Sequence, residues 1–278
     1  MGEKINRVTV LLAVYCGDNI SYFNESISSL INQKKYIYEI LIIINGPIEE
    51  ELILLINEFK NILPIRIVKY QNNLGISRAL NLTLPLIESE WIARLDSDDI
   101  CDKNRFKNMN RIINTYGDEF DVFGTYIKEF SQKINDKNII RKVPLNINLI
   151  KFFSIFSSPL NNVTTFYKKK LTIKDDNFYP VFDGFEDYGL WLKLIYKKIK
   201  IKNIPIISVN VRIGNNMLGR RGGFTYIKNE LKFRLHCAKY IDKLFLFPYL
   251  MASIFRILTF MLPNSLKKYL YLLKRKFF

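Results

Sequence analysis

Leu95-Asp96-Ser97-Asp98-Asp99, directly after the apolar run Trp91-Ile92-Ala93, sets three carboxylates within four residues at the carboxyl end of a predicted buried strand. Open α/β sheets bind ligands at the carboxyl ends of their strands. Carboxylate oxygens are also the ligands that hard divalent cations such as Mg²⁺ and Mn²⁺ prefer. A cation held there would neutralise a diphosphate, which points to an enzyme that handles nucleotide-activated substrates. The competing reading is an acidic strand-to-helix loop in which Asp98, Asp99 or Asp102 caps a helix beginning near Lys103. The stretch alone does not separate the two.

Outward from it, short apolar runs alternate with helix-like segments, the pattern of a mostly parallel α/β sheet. Val8–Tyr15 reads as the first strand, and Ser21–Gln33 as an amphipathic helix with Phe23, Ile27, Leu30 and Ile31 on one face. Glu39–Ile44 is a second buried strand, ended by the turn Asn45-Gly46-Pro47. A helix over Glu49–Asn61, a strand over Ile65–Lys69, the loop Asn72-Asn73-Leu74-Gly75 and a helix from Ile76 lead to the Trp91–Leu95 strand. This βαβαβαβ order is that of a nucleotide-binding half-domain. Beyond a helix at Arg105–Tyr116, Phe120–Phe130 and Asn138–Val143 read as strands around a polar hairpin, and Phe152–Tyr167 is ambiguous. Asp183–Lys197 reads as a helix, Ile204–Val211 as a last strand, and Tyr226 onward as helix interrupted at Pro248 and Pro263.

The 278 residues are 49% hydrophobic and carry a net charge of +16. That is a globular composition, not a disordered one. Residues 239–278 hold eight Lys or Arg against one acid, in the same segment as the longest apolar runs. Basic plus apolar favours an anionic membrane surface over nucleic acid. Three dispersed cysteines without a CxxC fit a reducing compartment. Val8–Val14 is short for a signal-peptide core, and Tyr15 is too large for a cleavage site, so a cytoplasmic location is expected.

Four motifs in order carry a resemblance: Val10-Leu11-Leu12-Ala13-Val14-Tyr15, Asn73-Leu74-Gly75 with Ala79-Leu80-Asn81, Ala93-Arg94-Leu95-Asp96-Ser97-Asp98-Asp99, and Phe185-Glu186-Asp187-Tyr188-Gly189-Leu190-Trp191-Leu192. Together they resemble the inverting family 2 glycosyltransferases of the GT-A fold. Val211-Arg212-Ile213-Gly214-Asn215 and Arg220-Arg221-Gly222-Gly223 resemble a subset that builds bacterial capsule, exopolysaccharide or O-antigen repeats. The resemblance implies a mostly parallel central sheet with a helical tail, divided as residues 1–100 for the nucleotide-sugar, 101–215 for the acceptor and 216–278 as the tail. It implies Mg²⁺ or Mn²⁺ on Asp98, Asp96 near the ribose or reaching the metal through water, Ser97 at the nucleotide-sugar, and Asp187 as the base that takes the acceptor proton. Asp183-x-x-Glu186 is also a capping-box pattern, which would give Glu186 and Asp187 a purely structural reason. Ala13, Tyr15 and Asn45 are expected around the nucleotide base, and Gly75 and Arg78 beside the base or diphosphate. Asn45 stands where relatives carry Asp, and Cys16 where they carry Asn. Glu186, Arg212, Arg220 and Arg221 are candidates for phosphate or acceptor contacts. His236 reads as structural.

The partners the resemblance implies are a nucleotide-sugar, expected to be a UDP-sugar, and an acceptor on a polyprenyl diphosphate at the inner face of the cytoplasmic membrane. Arg256 argues against Leu244–Leu262 as a membrane span. Leu266, Tyr269, Leu270, Leu273 and Phe277 share one helical face flanked by Lys267, Lys268, Arg275 and Lys276, an interfacial-anchor pattern. A sugar-phosphate nucleotidyltransferase would want a Gly-rich loop after the first strand, and Tyr15-Cys16-Gly17-Asp18-Asn19 has one glycine. A non-catalytic basic membrane-binding protein is the remaining alternative; it leaves the acidic loop and Asp187 unexplained.

Overall fold

A computed structural model of the chain describes residues 4–137, 139–173, 175–182, 184–214, 224–260, 262 and 266. The predicted βα alternation forms. Strands β1 (Val8–Val14), β2 (Glu39–Asn45), β3 (Ile65–Tyr70) and β4 (Trp91–Arg94) lie parallel in the order β3-β2-β1-β4. Helices α1 (Ile20–Ser28), α2 (Glu50–Lys60) and α3 (Ile76–Thr83) connect them.

The sheet then continues through antiparallel β8 (Phe166–Lys168) to β6 (Val122–Phe130), which pairs in parallel with β9 (Ile201–Arg212). Two-residue β5 (Ile100–Cys101) pairs with β9, and β7 (Ile139–Arg141) with β6 in the expected hairpin. The acidic loop is thus tethered at both ends, by β4 on one side and by β5 against β9 on the other.

Strand alternation divides the core. Val10, Leu12 and Val14 of β1 with Ile40, Ile42 and Ile44 of β2 face α1, α2 and α4 (Arg105–Tyr116). Leu11, Leu41 and Ile43 face the opposite way, toward α3, α5 (Ile147–Ser154) and α6 (Glu186–Tyr196). The period of two along a strand makes this division, and burial of both faces is what a parallel sheet requires. Phe185, Tyr188 and Leu192 at α6 pack on Phe233 and Cys237 of α7 (Phe224–Cys237).

Three expectations are revised. The Ser21–Gln33 helix stops at Ser28 and re-forms as a 3₁₀ segment over Ile31–Tyr36. Ser29 Oγ donates to the Ser26 carbonyl at 2.6 Å and accepts from the Cys101 N–H at 3.1 Å, competing with helix continuation and tying the break to β5. The ambiguous Phe152–Tyr167 segment resolves into the end of α5, a short turn and β8. Pro248 does not interrupt the C-terminal helix, since it lies inside α8 (Lys243–Phe260). The break falls instead before Lys243, where Asp242 accepts from the Leu244 N–H at 3.0 Å. Pro263 lies outside the described residues. Among the described residues no helix is long and apolar enough to cross a membrane.

Arg105 ties α4 to the sheet beneath the acidic loop. Fully buried, it donates to the Arg94 carbonyl at 2.7 Å and the Val163 carbonyl at 2.9 Å. Its guanidinium carbon lies 5.3 Å from the ring centres of both Phe106 and Phe166. Replacing Arg105 with Met strands both carbonyls, and urea denaturation is expected to show a loss of about 3 kcal/mol. An unchanged midpoint would refute this role.

Candidate active site

The classical switch point of such a sheet lies where strand order reverses, between β1 and β4. Here the loops after those two strands are joined by side chains. Asp18 accepts from the Tyr15 N–H at 2.8 Å and from Ser97 Oγ at 2.7 Å, and Ser26 Oγ donates to the Asp96 carbonyl at 3.1 Å. Asp98 and Asp99 cap no helix. The Asp99 carboxylate accepts from the Arg212 N–H at 2.9 Å and is buried. It is Asp102 that turns the chain into α4, accepting from the Asn104 N–H at 2.9 Å.

The carboxylates crowd one another. Burial, then the charges of Asp96 and Asp18, push the Asp98 carboxyl up to about 6. Burial likewise raises Asp18 and Asp99, and Asp96 adds to both. Under these loops lies Arg94, 2% exposed, which donates to the Leu11 carbonyl at 3.0 Å and pairs with Asp96 at 3.2 Å. Such a concentration of half-buried negative charge fits a divalent cation, whose charge would relieve the repulsion.

Glu186 and Asp187 open α6, and the N-cap is Phe185, with no side chain capping. The capping-box reading with Asp183 as N-cap is therefore set aside; Asp183 itself is outside the described residues. Burial, with Asp187 and Asp96 adding, raises the Glu186 carboxyl to about 7, while Arg94 opposes the shift. Its Oε2 is buried without a partner. The start of α6 is thereby within electrostatic reach of the acidic loop. Asp187 Oδ1 accepts from the Tyr188 N–H at 2.7 Å.

Asn45 and Arg212 are both held by contacts within the protein. The Asn45 carbonyl oxygen accepts from the Leu74 N–H at 2.9 Å and its amide donates to Asn73 at 3.1 Å, so Asn45 shapes the Asn73–Gly75 loop. Gly46 completes that contact: its φ is +92°, and a Cβ there would sit 2.8 Å from the Asn73 nitrogen. Arg212 is buried with its Nη2 on Glu25 at 2.7 Å and its Nε on the Asp98 carbonyl at 3.2 Å. Tyr22 and Phe130 lie against its guanidinium, 3.9 and 4.5 Å from ring centre to Cζ. It straps β9 to the acidic loop. Arg220 and Arg221 lie outside the described residues.

Tyr15 is exposed beside half-buried Ala13 at the end of β1. Gly75 (φ +77°) is the N-cap of α3, and exposed Arg78 follows in its first turn. Both line a cleft of about 500 Å³ closed by Val181, Phe182 and Phe185 and by Asn229 and Lys232 of α7. The exposed His236 ring lies 4.9 Å from that of Phe182, centre to centre. Three contributors carried no role in the sequence reading. Arg94 had a signal, being a cation inside a buried strand just ahead of carboxylates. Asp18 had none beyond its place after Gly17. Asn81 clamps Tyr179 through both backbone polar groups, at 2.8 and 2.9 Å, and so fixes the approach to α6.

A sheet reversing at β1 and β4, with a carboxylate loop at that point and an acid pair at the head of a facing helix, is a GT-A glycosyltransferase architecture. The chain belongs to glycosyl transferase family 2, whose profile matches residues 9–225. It is 33% identical over 270 residues to an uncharacterized glycosyltransferase of Haemophilus influenzae, covering 95% of this chain and 97% of that one. It is 29% identical to the Escherichia coli UDP-Gal:alpha-D-GlcNAc-diphosphoundecaprenol beta-1,3-galactosyltransferase, over 98% and 97% of the two chains. The amylovoran biosynthesis glycosyltransferase AmsE of Erwinia amylovora is 28% identical over 96% of this chain and 99% of its own. In fold it matches Staphylococcus aureus TarS with a TM-score of 0.65 at 17% identity, over 91% of this chain and 72% of that one. A Pyrobaculum calidifontis mannosyltransferase solved with GDP-Man and Mn²⁺ matches with 0.57 at 12% identity, over 90% and 76%.

The Glu186 shift sets a pH dependence. Between the ordinary value of 4.5 and about 7 the folded state holds a proton that the unfolded state has released. Stability therefore falls as pH rises through that window. Glu186→Gln is expected to flatten that part of the curve and to melt no lower than the parent at pH 8, read by thermal melts in chelator-treated buffers. Superimposable pH profiles would contradict it.

Proposed function

We propose that this glycosyltransferase is metal-dependent and inverting. In this reading it moves a sugar from a nucleoside-diphosphate donor, a UDP-sugar in the first instance, to an acceptor on a polyprenyl diphosphate. The setting is bacterial surface-polysaccharide synthesis at the inner face of the cytoplasmic membrane. The observation that carries it is the charge arrangement: half-buried Asp96 and Asp98 with the Glu186–Asp187 pair in electrostatic reach. The relatives named for transfer from UDP-Gal or UDP-Glc to GlcNAc-diphosphoundecaprenol support the donor and acceptor classes.

Asp98 would hold the Mg²⁺ or Mn²⁺, with Asp96 toward the ribose, Ser97 bracing the loop through Asp18, and Tyr15 and Ala13 along the base. A bound cation would stabilise the negative charge that develops on the departing diphosphate. Among the described residues no three His, Cys, Asp or Glu side chains form a complete cage. Diphosphate oxygens and water would then complete the shell, so that cation and nucleotide bind together. Asp187 takes the proton from the acceptor hydroxyl as its oxygen bonds to the anomeric carbon. The bond from that carbon to the diphosphate oxygen breaks, and the electron pair leaves with the nucleotide. One displacement inverts the anomeric centre. Glu186, its carboxyl raised to about 7 by burial and by the charges of Asp187 and Asp96, carries less than a full second negative charge beside Asp187 near neutral pH. Arg78 and Lys232 offer positive charge to a phosphate in the adjoining cleft. Residues 1–100 would serve the donor, 101–215 the acceptor, and 216–278 the membrane side.

A transfer and donor-hydrolysis screen over nucleotide sugars, with and without a chelator, tests this reading. Asp98→Ala and chelation are each expected to abolish turnover, and Asp187→Asn to lower kcat by ~10²–10⁴-fold with donor binding retained. Turnover indifferent to chelator would remove the metal assignment, and a full rate in Asp187→Asn the base assignment.

A further inference from the structure

Helix α8 is amphipathic in the reverse sense to a core-packed surface helix. Leu244, Phe247, Met251, Ile254, Phe255 and Leu258 recur at helical spacing and are exposed, Leu244, Phe247 and Phe255 by 78, 70 and 68%. Its polar side faces the protein. The buried Tyr249 hydroxyl donates to the Arg234 carbonyl at 3.0 Å, Arg234 donates to Ser253 Oγ at 3.3 Å, and Arg256 meets buried Glu230 at 3.4 Å. Arg256, which counts against a membrane span in the sequence, is thus directed into the α7–α8 contact. This arrangement buries hydrogen-bonding groups and leaves an apolar stripe outside, contrary to what water as the only neighbour would select.

We propose that α8 lies along the surface of an anionic bilayer with this stripe inserted among the lipid chains. The proposal rests on the membrane-borne acceptor read above and names the element that would meet the membrane. Charge selects lipid as the occupant. Residues 224–260 carry six Lys or Arg and two acids. Glu230 is buried in its ion pairs with Arg234 and Arg256, while Lys239, just ahead of α8, and Lys243, its first residue, are exposed. Phenylalanine and leucine below the headgroups with lysines at their level is the arrangement of an interfacial helix. The 18-residue helix carries Pro248 and does not qualify as a span, so it lies on the membrane.

The test uses the full chain with extruded vesicles of phosphatidylglycerol and phosphatidylcholine, or of phosphatidylcholine alone, in a flotation assay. The parent is expected to float with the anionic vesicles and far less with the neutral ones. Phe247→Glu/Phe255→Glu is expected to cut partitioning by roughly a hundredfold. Its melting temperature and its hydrolysis of donor in solution should match the parent. Undiminished flotation of the double variant, or no flotation of the parent, overturns the proposal. So does a parent dimer, seen by light scattering without lipid, that the double variant dissociates, because the stripe would then be an interface between copies. If the parent floats as expected but turns over no nucleotide sugar, the docking stands and the functional reading fails.

Discussion

The site depends on one electrostatic constraint: several carboxylates gathered in half-buried positions must be held against their mutual repulsion. Arg94, Arg105 and Arg212 do this from beneath and from the side. Arg94 pairs with Asp96, and Arg212 fastens to Asp99, to the Asp98 carbonyl and to Glu25. Arg105 holds the Arg94 carbonyl from below. At Asp98, burial and the charges of Asp96 and Asp18 outweigh Arg212, and its carboxyl stays raised to about 6. The loop is thereby held in shape while part of its negative charge remains uncompensated, the condition for binding a cation together with a polyanionic nucleotide.

The same constraint explains which roles were legible in the sequence. Acidic spacing after a buried strand and the βα alternation are local patterns, and they led to the sheet, its switch point and the carboxylate loop. The resemblance implies ligand contacts for Arg212 and Asn45, and says nothing of what holds them in the fold. Their partners there, Glu25 and Asp98 for Arg212 and Asn73–Leu74 for Asn45, come from distant segments. Pairings between separated segments leave no local pattern. The expected break at Pro248 is a different case, overturned by tertiary contacts. A proline usually ends a helix, yet here tertiary bonds of Tyr249 and Ser253 keep the helix continuous around it.

The C-terminal helices connect to the chemistry through packing. Phe185 stacks on Phe233 at 4.9 Å, so the turn that presents Glu186 and Asp187 rests on α7. Helix α7 in turn contributes Asn229 and Lys232 to the cleft beside Gly75 and Arg78, and shares its buried polar contacts with α8. A surface that meets lipid through α8 would therefore stand one helix away from the acid pair.

Calorimetric titration of Mn²⁺ into the full chain, alone and saturated with UDP, tests the central account most directly. It predicts weak binding to the free protein, binding strengthened by at least about tenfold with the nucleotide, and loss of that gain in Asp98→Asn. Equal affinity with and without UDP, or a gain that survives Asp98→Asn, would contradict the assignment of the acidic loop as a shared cation and diphosphate site.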